Sequence, residues 1–194
     1  MASLNKYLSL MPIFFVSSCS VLYPISLEII DDIYKEPKNI YLSKSKLNTE
    51  DSTYILKSSN GSSNTLTWIS SDNNSVLVSK NGKFIKTIGL KYNFTINSKF
   101  TLKDIIPLLN PFYDTKTYIL LENPLSGYLE LNLRYSLLEN YQDCDCPVIK
   151  ESFRSDSISW SGDNYYWFDE NYRVVKSLQN FHPYGPPYKI EYLD

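Results

Sequence analysis

Three cysteines, one histidine and scattered carboxylates are the groups in this chain that could carry chemistry. Cys19 follows the small residues Ser17 and Ser18, at the end of an apolar run from Leu8 to Val16. A thiol placed there is open to acylation once a leader is cut away. Cys144 and Cys146 are separated only by Asp145. They could form a bridge across one residue, stay as separate thiols, or join a metal site. Such a bridge closes a small strained ring that is easily reduced, so neither cysteine is expected to be needed for folding. Metal is the weakest option: His182 is the only histidine, and one Cys-x-Cys beside Asp143 and Asp145 is a sparse ligand set. No metal and no cofactor is expected.

A histidine-based nucleophile is not expected either, since His182 stands directly before Pro183. The chain has no phosphate loop, dinucleotide fingerprint or His-based metal motif. Glycoside cleavage needs only two carboxylates, about 5 Å or about 6.5–9.5 Å apart. Asp163 and Asp169 are candidates for such a pair. Carboxylates at loop ends are more often simply solvated, so the expectation is a protein that is not an enzyme. A periplasmic glycan-cleaving or glycan-modifying enzyme with paired carboxylates is the alternative.

The residues around Cys19 form a secretory layout: a head with one positive charge, Lys6, then the apolar run, then small residues before the cut. The run is shorter than the roughly 20 residues of a membrane span. Val16-Ser17-Ser18-Cys19 resembles a bacterial lipobox, in which cleavage precedes the cysteine and the thiol is acylated. Residues 1–18 are therefore expected to be a lipoprotein signal peptide. Residues 19–194, 176 in number (194 − 18), are expected to form a single β-rich periplasmic domain. Ser20 rather than Asp after the cysteine points to delivery to the outer membrane. Loss of Lys6 takes the net charge from −2 to −3, which gives nucleic acid no basic surface. Charged residues make up 21% and hydrophobic ones 43%, so the domain should bury a core. Its 17 Tyr and 9 Phe suit pleated surfaces, interfaces and sugar contacts.

Ser26–Tyr34 has helical spacing, with Ser26 as a cap and Pro37 as a stop. From about residue 40 the period becomes two. Thr53–Lys57, Thr65–Ser70, Ser75–Lys80 and Lys83–Ile88 read as strands. Asn81-Gly82 between the last two is a hairpin signal, because a type I′ turn needs positive φ at both positions. Gly89 marks a bend or bulge where a strand leaves the sheet. Thr101 and Asp104 fit a cap pattern for a second helix to about Asn110, limited by Pro107. Lys116–Glu122, Tyr128–Tyr135, Cys146–Phe153, Ser157–Trp160, Tyr165–Asp169, Tyr172–Gln179 and Tyr188–Tyr192 complete the strands. This predicts a mainly β protein: an antiparallel barrel-like or sandwich domain of about ten strands with one or two short helices.

Two stretches carry a resemblance. One is Thr67-Trp68-Ile-Ser-Ser-Asp72 with Asn81-Gly82-Lys83 and Thr87-Ile-Gly89-Leu90. The other is Asn164-Tyr-Tyr-Trp167-Phe-Asp169 with Ser177-Leu-Gln179 and Pro183. Together they resemble the YjbF/GfcB family of lipoproteins of group 4 capsule and exopolysaccharide genes. Lys83 stands where that family usually has Arg. Asn171 stands near a usual turn glycine and is the residue expected to tolerate positive φ there. The resemblance implies a beta-barrel-like domain, a lipid anchor in the outer membrane facing the periplasm, and help in capsule or exopolysaccharide assembly or export. The implied partners are the membrane, outer-membrane polysaccharide export components and polysaccharide itself.

Trp68 and Trp167 fit either core packing or a sugar-stacking platform. Gln179 could pin two strands or touch a ligand. Tyr128, Glu130 and Arg134 share one strand face, which suits a polar groove or an ordinary exposed surface.

Overall fold

The computed structural model describes residues 38–43, 52–60, 64–97, 100–123, 126–139, 141 and 146–193. The expected signal peptide, Cys19 and the helix expected over Ser26–Tyr34 lie outside them. Twelve strands are present among the described residues: β1 (Lys38–Ser43), β2 (Ser52–Asn60), β3 (Thr65–Ser70), β4 (Val76–Lys80), β5 (Lys83–Ile88), β6 (Phe94–Asn97), β7 (Phe112–Leu121), β8 (Gly127–Leu138), β9 (Val148–Ser155), β10 (Trp160–Phe168), β11 (Val174–Gln179) and β12 (Tyr188–Leu193). From β2 to β12 each strand pairs antiparallel with the next.

The expected mainly β, antiparallel domain is present, and of its two expected forms the packing is that of a sandwich; the beta barrel is corrected on two counts. The pairing order does return on itself, but only through β1, which joins both β12 and β2 in parallel. The ring is also collapsed. Gln179 on β11 accepts from the Phe84 N–H of β5 (3.2 Å) and donates to the Gly82 carbonyl (3.2 Å), although β5 and β11 stand on opposite sides of the ring. Two walls therefore pack face to face, as sheets do in a sandwich, instead of standing apart around a lumen. Large inward side chains fill the space between them: Phe84, Phe94, Tyr135, Ile149, Tyr166 and Ile190 are all fully buried.

The helix near Thr101 is shorter than expected. α1 spans Leu102–Ile105 and gives way to a 3₁₀ turn at Ile106–Leu108. Thr101 and Asp104 do form a reciprocal capping box. Pro107 lacks the N–H that would continue an α-helix. Leu102 and Ile105 are buried in the core. β6 pairs with β5 through the single pair Lys86–Thr95.

The expected strand at Ser157–Trp160 is instead a turn, with Ser159 at φ 52°, and β10 runs unbroken from Trp160. Ser161-Gly-Asp-Asn164 has a turn-like composition, yet these residues lie inside the strand. Tertiary partners hold them there. The Phe153 ring occupies the space where a Gly162 side chain would stand, Asp163 accepts from the Ser152 hydroxyl (2.7 Å), and Asn164 donates to Glu151 (2.8 Å).

Candidate functional site

Several of the residues carrying the family resemblance, among them Trp68, Lys83, Asn164 and Gln179, converge in the interior. Asn81 (φ 49°) and Gly82 (φ 82°) form the tip between β4 and β5. A Cβ on Gly82 would collide with the Val174 side chain at the start of β11. The Gly82 carbonyl accepts from both Gln179 and the Tyr192 hydroxyl (2.8 Å). β5 has an extra residue, Ile85, opposite Val78/Ser79, and the consecutive side chains of Lys83 and Phe84 before it are both buried. Lys83 pairs with Glu151 of β9 and donates to the Tyr135 hydroxyl (3.1 Å). Asn164 donates to the other Glu151 oxygen and accepts from the Asn180 N–H (2.7 Å). Gln179 also donates to the Ser177 hydroxyl (2.8 Å). Burial, and next the Glu151 charge, push the Tyr135 and Tyr166 phenols well up, so both stay protonated. A network with its members so paired fixes one packing of the interior.

Trp68 belongs to this interior. Its indole donates to the Ser79 hydroxyl (3.0 Å), its ring meets Tyr192 edge-on, and only 5% of it is exposed. Trp167 faces outward but is covered. Tyr165 and Tyr141 lie against it, and the Lys176 ammonium sits 4.7 Å from its ring centroid. Gly89 follows the end of β5 at φ 79°, where a Cβ would strike the Asn74 carbonyl.

Tyr128 and Arg134 occupy a different surface, the outer face of β7, β8 and β9. Cross-strand pairs set its rows: Asp114–Arg134–Ser152, Lys116–Asn132–Arg154, Tyr118–Glu130 and Leu120–Tyr128. Arg134 grips both oxygens of Asp114 (2.8 Å each) and lies over the Phe112 ring at 4.4 Å. Its hydrogen bonds hold Asp114 below the usual carboxylate range. Glu130 accepts from Lys116 (2.6 Å) and the Tyr118 hydroxyl (3.0 Å). A shallow depression of about 700 Å³ runs along Asp114, Lys116, Asn132, Arg134, Ser152 and Arg154. Tyr128 is 76% exposed at one end of this face. Six residues of strand separate it from Arg134, about 20 Å at 3.3 Å per residue. The candidate contacts thus divide among interior, covered and outer positions and do not form one site.

The two carboxylates considered for glycan cleavage each have structural partners. Asp163 pairs with Lys150 (3.0 Å) and Ser152. Asp169 accepts from the backbone N–H groups of Asn171 and Arg173 and from the Arg173 guanidinium. In that turn Tyr172, at φ 55°, takes the left-handed conformation expected at Asn171. Asp169 binds the N–H groups on either side of Tyr172, while the Tyr172 N–H reaches back to the Asp169 carbonyl (3.0 Å), and these bonds place the kink at Tyr172.

His182 is buried, with Nδ1 accepting from the Tyr184 N–H (3.2 Å) and Nε2 without a hydrogen bond. Among the described residues no cluster of His, Cys, Asp or Glu is grouped to hold a metal. Cys146 is disulfide-bonded.

Sequence reasoning missed Glu151, Tyr118 and Tyr172. Glu151 had a signal: it falls between Ile149 and Phe153 at an inward position of a period-two strand.

A solved structure titled "hypothetical lipoprotein YmcC" from Escherichia coli (K12) superposes with a TM-score of 0.58 at 20% identity, covering 72% of this chain and 78% of that one. At that identity the likeness concerns the fold. No curated protein matches the chain. The sequence model of YjbF, described as "Group 4 capsule polysaccharide lipoprotein gfcB, YjbF", matches residues 39–193, which include the buried motif and both walls. This chain belongs to the YjbF family of group 4 capsule polysaccharide lipoproteins.

Proposed function

We propose that this protein is cleaved before Cys19, lipidated there, held at the outer membrane facing the periplasm, and assists capsule or exopolysaccharide assembly or export by contact. Several acyl chains on one residue would make the anchor stable, where a single chain binds only marginally. The observation that carries the contact reading is the outer face of β7–β9. It presents Tyr128, Tyr118 and the Phe112–Arg134 stack to solvent on long, rigid strands. Aromatic rings beside fixed hydrogen-bonding groups suit an export component or a glycan chain. The buried Lys83–Glu151 pair, bonded to Tyr135 and Asn164, supports that surface from within.

The test is complementation of a strain lacking the native protein, with surface polysaccharide quantified. Cys19→Ala should leave uncut, unlipidated precursor and abolish complementation. Tyr128→Ala and Arg134→Ala should each reduce surface polysaccharide in part, with normal protein levels. Lipid labelling of the Cys19→Ala variant would overturn the anchor. Full complementation by a Tyr128→Ala/Arg134→Ala double variant would overturn the contact face.

A further inference from the structure

A second concave surface lies away from the outer face, at the end of the ring where the turns after β2, β4 and β10 meet. It is a cleft of about 460 Å³. Leu66, Phe168 and Tyr192 supply apolar lining. Asn64, Asn81 and Asn171 are its amide residues, and Lys103 and Arg173 its cationic ones, the Arg173 guanidinium being bonded to Asp169. No carboxylate contributes to the lining. Trp68 and Gly82 also line it, so the buried family motif bears directly on its shape.

The position of Tyr172 is the informative feature. A bulky residue resists a left-handed backbone, and glycine or asparagine would fit this turn without that strain. Strain of this kind persists only where the surroundings over-determine it. Here Asp169 does so, through its bonds to the turn. Yet Tyr172 is 58% exposed, so core packing does not account for its placement. The turn holds an open aromatic face at the edge of a cleft rich in amides.

We propose that this cleft binds a short stretch of oligosaccharide, with a sugar ring against Tyr172 and its hydroxyls on Asn64, Asn81, Asn171 and the Lys103 ammonium. An aromatic face takes the C–H side of a pyranose, and amide groups can both donate to and accept from hydroxyls. Apolar walls with a few placed polar groups are the usual make-up of a small-molecule site. The choice of saccharide rests on the proposed function above; the site itself rests on the strained, exposed tyrosine.

The experiment titrates full-length lipidated protein in nanodiscs with oligosaccharides cut from the capsular polysaccharide of the producing strain, read by intrinsic fluorescence and calorimetry. Wild type should bind saturably. Tyr172→Gly removes the ring and relaxes the backbone together, so affinity should fall about tenfold or more while the melting temperature holds or rises. Tyr172→Phe should bind like wild type, and Lys103→Gln should bind more weakly. Absence of saturable binding by wild type, or unchanged affinity in Tyr172→Gly, would overturn the inference. Tyr128→Ala/Arg134→Ala serves to separate the two readings. Loss of capsule with that variant and no oligosaccharide binding by wild type would sink the cleft and leave the contact face standing. Oligosaccharide binding with no dependence of capsule on the outer face would do the reverse.

Discussion

Lys83 and Glu151 meet inside the collapsed ring as an ion pair whose side chains are only 6% and 2% exposed. Neither charge stands alone there, since Tyr135 and Asn164 bond to the remaining polar atoms. Breaking a buried pair by removing one partner costs about 3–5 kcal/mol, because the other charge stays buried. Glu151→Leu should therefore destabilise the domain strongly in chemical denaturation. Lys83→Met/Glu151→Leu should cost clearly less than the two single changes added together. Additive losses would show that the two side chains are not energetically coupled.

At the hairpin tip, Gly82 faces two independent obstacles to substitution: its left-handed backbone and the Val174 side chain. Gly82→Ala should cost about 2 kcal/mol or more. Val174→Ala in the same chain should recover only part, since the φ strain remains. Asn81→Gly, at a position where glycine is equally at home, should be close to neutral. Thermal denaturation of the three variants checks the ranking.

Burial pushes His182 down to about 4, against an ordinary value of 6.5 and a small opposing pull from the Asn123 backbone. Between those values the unfolded chain binds a proton that the folded chain does not. Stability from this residue is thus full above about pH 6.5 and drains away as pH falls toward 4, by at most about 1.4 kcal/mol per pH unit. His182→Gln should flatten the fall of melting temperature across that window. An unchanged profile in the variant would assign the acid sensitivity elsewhere.

Contact and turnover differ in how a carboxylate scan should look. Losing a general acid or base commonly costs about 10²–10⁴-fold in rate. Replacing each Asp and Glu of residues 38–193 by Asn or Gln, one at a time, should give graded losses of surface polysaccharide and no single abolition among stable variants. Asp163→Asn and Asp169→Asn are the informative members. Either one abolishing export while folded, together with release of glycan fragments by the wild type, would favour the enzyme.

The sequence alone determined the mainly β character, the Asn81-Gly82 hairpin and the Thr101 cap. Each is a local property: period-two burial, positive φ in a two-residue turn, and a side chain reaching N–H groups three residues away. It also determined the family, because the order of short words survives without knowledge of their contacts. Tertiary structure decided the rest. Whether Ser161-Gly-Asp-Asn164 turns or runs straight depended on Glu151, Ser152 and Phe153 of the neighbouring strand. Period two places Trp68, Trp167, Tyr128 and Gln179 on strand faces, but it does not say which face another strand or loop will cover. Collapse of the ring settled that by bringing Gln179 to Gly82 and Phe84, residues 97 and 95 positions away in the chain. Contacts at such separations leave no periodic trace, since they arise only when two walls pack.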